Sequence, residues 1–367
     1  MNFLDGSLFP ENQEKLVITV APYGPEWTPS DFPEDIPITM DEQVQKAVDC
    51  YNAGATVLHL HVRELDGKGS KRLSKFNELI AGVRKAVPDM IIQVGGSISF
   101  APETEGEVAK WLSDDTRHLL AELDPKPDQM TIAINSNQFN IVEMMVDADI
   151  AGTSLAEPMN YRAYREMTIP AGPEWVEEHI RRLCASGIQP LFQIGNRPSY
   201  ETVERMMLRG VCNVPLNLTW IPIAGGADSP NIYDMANFVR AVPDGAVLTV
   251  ESLMLNVLPL NTIAIAMGLH VRCGIEDNLW TQDRKGKMSS VQQVEQLVRI
   301  SRARARRRSS RRPAGSCREP HPSGAPAARC TSRAAWSPCR PARERGCGER
   351  SHRHCSSRPP SGRARPC

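Results

Sequence analysis

The sequence predicts a (β/α)8 TIM barrel over residues 1–300. Three observations predict it: eight short aliphatic or β-branched runs, longer helical patterns between them, and no glycine-rich dinucleotide turn after the first run. The strand runs are residues 16–21, 56–62, 90–94, 129–134, 190–194, 214–219, 246–250 and 271–275. Helical periodicity separates them, most clearly over residues 40–53, 73–87, 174–185 and 201–208. Such alternation gives parallel strands, and eight units close a barrel. An open doubly wound sheet is the alternative, but its Gly-x-Gly-x-x-Gly turn is missing after strand one.

A barrel of this kind works at the C-terminal ends of its strands, so the residues there can be taken in order. Strand one ends in Tyr23-Gly24-Pro25-Glu26. Strand two carries His59-Leu60-His61-Val62-Arg63, in which the two histidines sit at i and i+2 and share one side. Paired imidazoles suit zinc or a similar ion, which still needs a third protein ligand. Strand three ends in Gly95-Gly96-Ser97, strand four in Asn135-Ser136-Asn137, and strand five is followed by Asn196-Arg197. Thr219 closes strand six, and Glu251-Ser252 follow strand seven. Strand eight leads through Arg272 to Asn278 (RCGIEDN), with Arg272, Gly274 and Glu276 expected on one side and Asp277 at the rim. Glu251 and Glu276 therefore compete for the third ligand, and either carboxylate could instead be charge-paired with Arg272.

Residues 301–367 read differently. They hold 18 Arg, no Lys and 3 Glu, a net +15, whereas residues 1–300 hold 25 Lys+Arg and 40 Asp+Glu, a net −15. The overall charge of zero is thus the cancellation of two unlike segments. The tail has no Leu, Ile, Val, Met, Phe or Tyr, and Trp336 is its one large apolar residue. It cannot bury enough surface to offset chain entropy, so it is expected to be disordered. One reading is a basic arm that holds nucleic-acid phosphates. The other is a GC-rich coding sequence translated out of frame after a break near residues 301–305, where the helical periodicity of residues 291–300 stops. An Arg, Pro and Cys-rich text without lysine favours the second, and no nucleic-acid partner is expected. Cys347, His352, His354 and Cys355 match no common zinc spacing.

Outside the tail, Cys50, Cys184, Cys212 and Cys273 are scattered, and residues 1–15 are polar and acidic. A reduced, cytoplasmic setting is expected. The most apolar run, residues 253–269, is broken by Asn256, Pro259 and Asn261, so no membrane span is expected.

HLHVR after a strand, with GLHVRCGIEDNLW some two hundred residues later, resembles the β-keto acid cleavage enzymes, whose founding activity is 3-keto-5-aminohexanoate cleavage. The likeness covers most of residues 15–300, including VITVAPYGPE, the PDMIIQ strand and LNTIAIAMGLHVRCGIEDN. It implies a (β/α)8 barrel that binds zinc through His59, His61 and Glu276. It also implies a Claisen-type exchange, in which a β-keto acid and acetyl-CoA give acetoacetate and a new acyl-CoA. By resemblance Asp277 is the base, Arg272 tunes it, and Glu26 contacts an amine or other polar group of the substrate. The family's Ser-Thr-Gly-Gly run is here Gly95-Gly96-Ser97-Ile98-Ser99, so Ser97 corresponds by position to the hydroxyl that holds the substrate. Asn135-Ser136-Asn137 replaces a Gly-Ser/Thr turn, and residues 135–187 form a longer stretch than the family's. A homo-oligomer, often a tetramer, is also implied. The competing activity is a metal-dependent aldolase or lyase that dispenses with coenzyme A, and a silent barrel whose histidines are core residues would hold no metal.

Overall fold

The structure, a computed structural model, describes residues 13–96, 114–135, 141–169, 171–211, 214–223 and 226–303. Eight parallel strands close a barrel in sequence order: β1 (Ile18–Val20), β2 (Val57–Leu60), β3 (Ile91–Val94), β4 (Gln129–Ala133), β5 (Gln189–Ile194), β6 (Asn217–Trp220), β7 (Val247–Val250) and β8 (His270–Cys273). Closure is made by β1 against β8, with Thr19 beside Arg272 and Val20 beside Cys273. Helices α1 (Met40–Ala53) and α2 (Leu73–Ala86) follow the first two strands. Next come α3 (Asp114–His118), α4 (Asp147–Ile150), α5 (Pro158–Arg165), α6 (Pro173–Ser186) and α7 (Arg197–Leu208). The chain continues with α8 (Ile232–Ala241), α9 (Val257–Ala266) and α10 (Ser290–Ala303).

Local chemistry sets these boundaries. Thr39 caps α1 by accepting from the Glu42 amide at 3.3 Å while the Glu42 carboxylate accepts from the Thr39 amide at 2.8 Å, a reciprocal pair that satisfies two orphan donors. Gly187 ends α6 in the left-handed region at φ 77°, where a side chain is disfavoured. Asn196 accepts from the Ser199 amide at 2.9 Å and starts α7 four residues earlier than periodicity alone suggests. The strands are buried on both faces, and all four residues of β2, β6 and β8 are inaccessible. That explains why they read as apolar runs rather than alternations.

A second apolar cluster covers part of the barrel mouth. It joins Tyr23 and Trp27 from the loop after β1, Leu155 and Tyr164 from the stretch between β4 and β5, and Ile275 and Leu279 from the loop after β8. The long segment noted in the sequence is thus partly a helical cover, built from α4 and α5, that buries its own core against two other loops. Cys50 and Cys273 are buried free thiols, but Cys184 is disulfide-bonded, so the expectation of a fully reduced chain fails there. With Cys50 and Cys273 free, the partner of Cys184 lies outside the described residues. No helix among the described residues is long and apolar enough to cross a membrane. The tail from residue 304 onward lies outside them.

Candidate active site

His59 is the third residue of β2 and His61 follows the strand end, so the pleat turns both rings to the barrel interior. Their Nε2 atoms are 3.2 Å apart. Strand register sets Gln93 of β3 beside His59 and Gln129 of β4 beside Gln93. Gln93 Nε2 donates to Gln129 Oε1 at 2.9 Å, so its oxygen accepts from His59 Nδ1 at 2.7 Å. The proton is therefore on Nδ1, and His59 turns a lone pair toward His61. Burial, then the charge of Arg272, pushes the His59 pKa down to about 3, which keeps the ring neutral.

The third member arrives from the other end of the chain. Glu276 Oε1 lies 3.6 Å from His59 Nε2, and Oε2 lies 3.3 Å from His61 Nε2. The turn that brings it there depends on Gly274, whose φ is 137° and where a Cβ would fall 2.0 Å from the Ala21 carbonyl oxygen. The amides of Asp277 and Asn278 both donate to the Gly274 carbonyl at 3.1 Å, swinging Glu276 and Asp277 back over β8. Of the two competing carboxylates, Glu276 joins the histidines and Glu251 does not. One ligand atom from each of His59, His61 and Glu276 lies within 4.8 Å of the others. Glu276 Oε2 is buried with no hydrogen-bond partner. The neutral His59 ring, His61 and the Glu276 carboxylate form a compact nitrogen and oxygen donor set of the kind that suits a divalent cation. Gly95 leaves the room, since a Cβ there would approach His61 Cε1 to 2.9 Å.

Arg272, inaccessible in β8, holds the acidic groups. Its Nη2 donates to Glu276 Oε1 at 2.7 Å and to Asp277 Oδ1 at 2.8 Å, its Nε donates to Asp277 Oδ2 at 3.1 Å, and its Nη1 lies 3.3 Å from Glu251 Oε1. One guanidinium serving three carboxylates cannot neutralise all of them. Burial pushes Asp277 up to about 6 against the downward pull of Arg272, and pushes Glu251 up to about 8. The tuning of Asp277 by Arg272 is thus one side of a balance in which desolvation weighs more. For Glu276 burial acts upward too, but Arg272 and the histidines outweigh it and hold the carboxyl well below the usual range. Glu26 is raised well above normal by burial and by Glu276. Arg63, donating to the carbonyls of Gly24 and Trp27, clasps the loop that carries it.

These groups share a cleft of about 890 Å³, including its open mouth, in which Glu26, His59, His61, Glu251, Arg272, Glu276 and Asp277 form one wall. Arg117 and Trp175 line the same cleft. Ser97, Ser136 and Asn137 lie outside the described residues. Arg197 opens α7, pairs with Glu201 at 3.5 Å and does not line the cleft. Sequence reasoning missed Gln93, Gln129, Arg117 and Trp175. A glutamine inside the apolar run MIIQV was a usable signal for the first, because a polar side chain buried in a parallel strand needs a partner.

The family model described as beta-keto acid cleavage enzyme matches residues 15–314. The chain is 27% identical over 289 residues to the 3-keto-5-aminohexanoate cleavage enzyme of Acetoanaerobium sticklandii, covering 79% of this chain and 92% of that one. It is 22% identical over 281 residues to the 3-dehydrocarnitine:acetyl-CoA trimethylamine transferase of Rhizobium meliloti, covering 72% and 83%. A solved ternary complex of ObcA with a C4-CoA adduct and oxalate superposes with a TM-score of 0.52 at 16% identity, covering 73% of this chain. This chain spans 64% of the length of that structure, and the likeness supports the fold alone. With a family match that runs across most of the chain and a His–His–Glu cluster at the strand ends where such a barrel works, the protein belongs to the β-keto acid cleavage enzyme family.

Proposed function

We propose that the protein is a zinc-dependent acyltransferase that condenses a β-keto acid with acetyl-CoA and releases acetoacetate and a new acyl-CoA. The observation that carries the reading is the convergence of His59, His61 and Glu276 beside the Arg272–Asp277 pair. Acetyl-CoA enters through the likeness to relatives named for acetyl-CoA transfer. His59, His61 and Glu276 hold the ion, and bound zinc would supply a Lewis acid for the keto and carboxylate oxygens of the substrate.

Asp277 takes a proton from the carbon between the keto and carboxyl groups, a task suited to a carboxylate whose pKa lies near neutrality. That carbon attacks the acetyl thioester carbonyl and the coenzyme A thiolate leaves. The thiolate then adds to the substrate keto carbon, and the bond between that carbon and the new acetoacetyl fragment breaks. Acetoacetate takes back its proton from Asp277, and the acyl group departs as its thioester, so atoms and charge balance. Arg272 orients Asp277 through two hydrogen bonds. Glu26, lining the same wall, meets the polar part of the substrate, and Ser97 is assigned by position to hold it. The catalytic unit is assigned to residues 1–300 and the basic segment of residues 301–367 is given no role in the reaction, although α10 runs on through Ala303.

The test is to incubate purified, metal-loaded protein with acetyl-CoA and a panel of β-keto acids and to identify each new thioester by mass spectrometry. A new acyl-CoA formed together with acetoacetate is expected. Cleavage of a β-keto acid without any need for acetyl-CoA would replace transfer by the lyase reading.

A further inference from the structure

We infer that Glu251, at the end of β7, is a positioning residue for the exchange: it fixes the angle of the Arg272 guanidinium and, through it, the aim of the Asp277 carboxylate at the substrate. The inference deepens the transfer reading above and rests on its assignment of Asp277 as the base.

Glu251 follows directly on β7, and its amide donates to the Trp220 carbonyl at 3.0 Å, so its backbone is held in strand register. Its side chain is buried yet lines the cleft. A carboxyl in that place carries a desolvation penalty that an apolar side chain would not, so packing alone does not explain it. Its neighbours do. Arg272 uses Nε and Nη2 on Asp277 and Nη2 again on Glu276, which leaves Nη1 to face Glu251, 3.3 Å from Oε1. The guanidinium is planar, so a hold on Nη1 sets the rotation of the edge that grips Asp277. Gln193 of β5 gives Glu251 a side-chain hydrogen bond and lines the same cleft.

The loop after β7 grips the base a second time. Met254, at φ 51° in the left-handed region, donates its amide to the Asp277 carbonyl at 2.8 Å. A non-glycine residue keeps that conformation only where its surroundings hold it. Glu251 and Met254 thus act on Asp277 from one loop, the first through the partner of its carboxylate and the second through its backbone. Asn261 of α9 fixes the root of the same arginine by donating to the Arg272 carbonyl at 2.7 Å. Burial, against the pull of Arg272 and with the repulsion of Asp277 and Glu276, pushes the Glu251 carboxyl up to about 8, so at neutral pH it meets Arg272 as an uncharged acid. The charge of Arg272 is then left to Glu276 and Asp277, and Glu251 supplies an acceptor at a fixed place rather than a counter-charge.

Exchange of the C2 protons of a β-keto acid for deuterium, followed by NMR in D2O with metal-loaded protein and no acetyl-CoA, reads proton abstraction alone. Metal content and acyl-CoA formation are measured beside it for each variant. Glu251→Leu removes the acceptor: it should keep its metal and a near-native KM, while the exchange rate and kcat both fall about 100-fold, the scale of a misaimed reacting group. Glu251→Gln keeps an uncharged acceptor at the same reach and should bring both back to within about tenfold of native, the worth of one weakened hydrogen bond. Native exchange in Glu251→Leu would overturn the inference. So would an equal loss in Glu251→Leu and Glu251→Gln, which would make Glu251 a proton donor to the substrate, or loss of metal in Glu251→Leu, which would make it a support of the ion. Should Glu251→Leu not fold, Glu251→Asp takes its place with an acceptor set back by one methylene, and equal rates in Glu251→Asp and Glu251→Gln would overturn the inference. Exchange by the native protein with no acyl-CoA formed would sink the transfer reading alone, the order of the variants still deciding this one. Transfer that survives Glu251→Leu unchanged would sink this one alone, and no enzyme-dependent exchange in the native protein would remove Asp277 as the base and this inference with it.

Discussion

The two walls of the cleft are built by different means. The part that carries the His–His–Glu cluster comes from strand ends and the turn directly after one of them: His59 and His61 are two residues apart, and Arg272, Glu276 and Asp277 lie within six. Hydrogen-bonded strands and a glycine turn fix its geometry. Another part of the lining, Arg117 and Trp175, is assembled from α3 and the first turn of α6, which meet because the helical layer packs on the barrel. Groups placed by short spacing on a rigid strand can be read from sequence, whereas side chains that only tertiary packing brings together cannot.

The strongest way to break this contrast is His59→Ala. The metal-binding wall then loses one of three donors, and metal content measured by mass spectrometry of the purified protein should drop from one ion per chain to nearly none, with turnover lost. Circular dichroism should stay native, because the strand keeps its backbone bonds. Stoichiometric metal in this variant would mean that the wall is not the metal site.

A smaller effect sharpens the same wall. Gln93 fixes the tautomer of His59 and is fixed in turn by Gln129. Gln93→Leu should weaken metal affinity roughly 10- to 100-fold, the usual worth of a partner behind a ligating histidine. Competition with a chromophoric chelator reads this directly, and unchanged affinity would show that strand packing alone orients the ring.

Much of the first wall was legible in the sequence, and little of the second. The eight apolar runs each contain or overlap a strand, and α1 matches its periodic segment residue for residue, since amphipathic spacing and a Thr–Glu capping pair are local signals. The structure brings His59, His61 and Glu276, the three residues that the family resemblance pointed to, within 4.8 Å of one another. What sequence could not rank was Glu251 against Glu276, because both follow a strand. The choice falls to the φ of Gly274, which turns Glu276 inward, and Glu251 is left on the far side of Arg272. The cover made by α4 and α5 was seen only as extra length, its apolar residues being too short a run to show a period. Arg117, His118, Trp175 and His179 had no motif at all, for a stack between two helices leaves no spacing to read.

The smallest predicted effect concerns that stack and is a matter of pH. Burial first, and then the neighbouring charges of His118, Arg117 and Arg182, push the His179 pKa from 6.5 down to about 3. In the unfolded chain the same ring takes a proton near its ordinary value, so between these two values the unfolded state binds more protons and stability rises with pH. The contribution is fully present above about pH 6.5 and is lost as pH falls toward 3. From pH 7 to pH 5 it amounts to about 2 kcal/mol. Replacing His179 by Gln removes the titrating ring, so urea unfolding of that variant should lose less stability over the same interval than the native protein does. All other groups are common to both proteins, and the difference between the two pH slopes isolates the share of His179. Parallel slopes would mean that His179 is protonated within the fold, and the wall that carries Arg117 would then hold a second cation beside it.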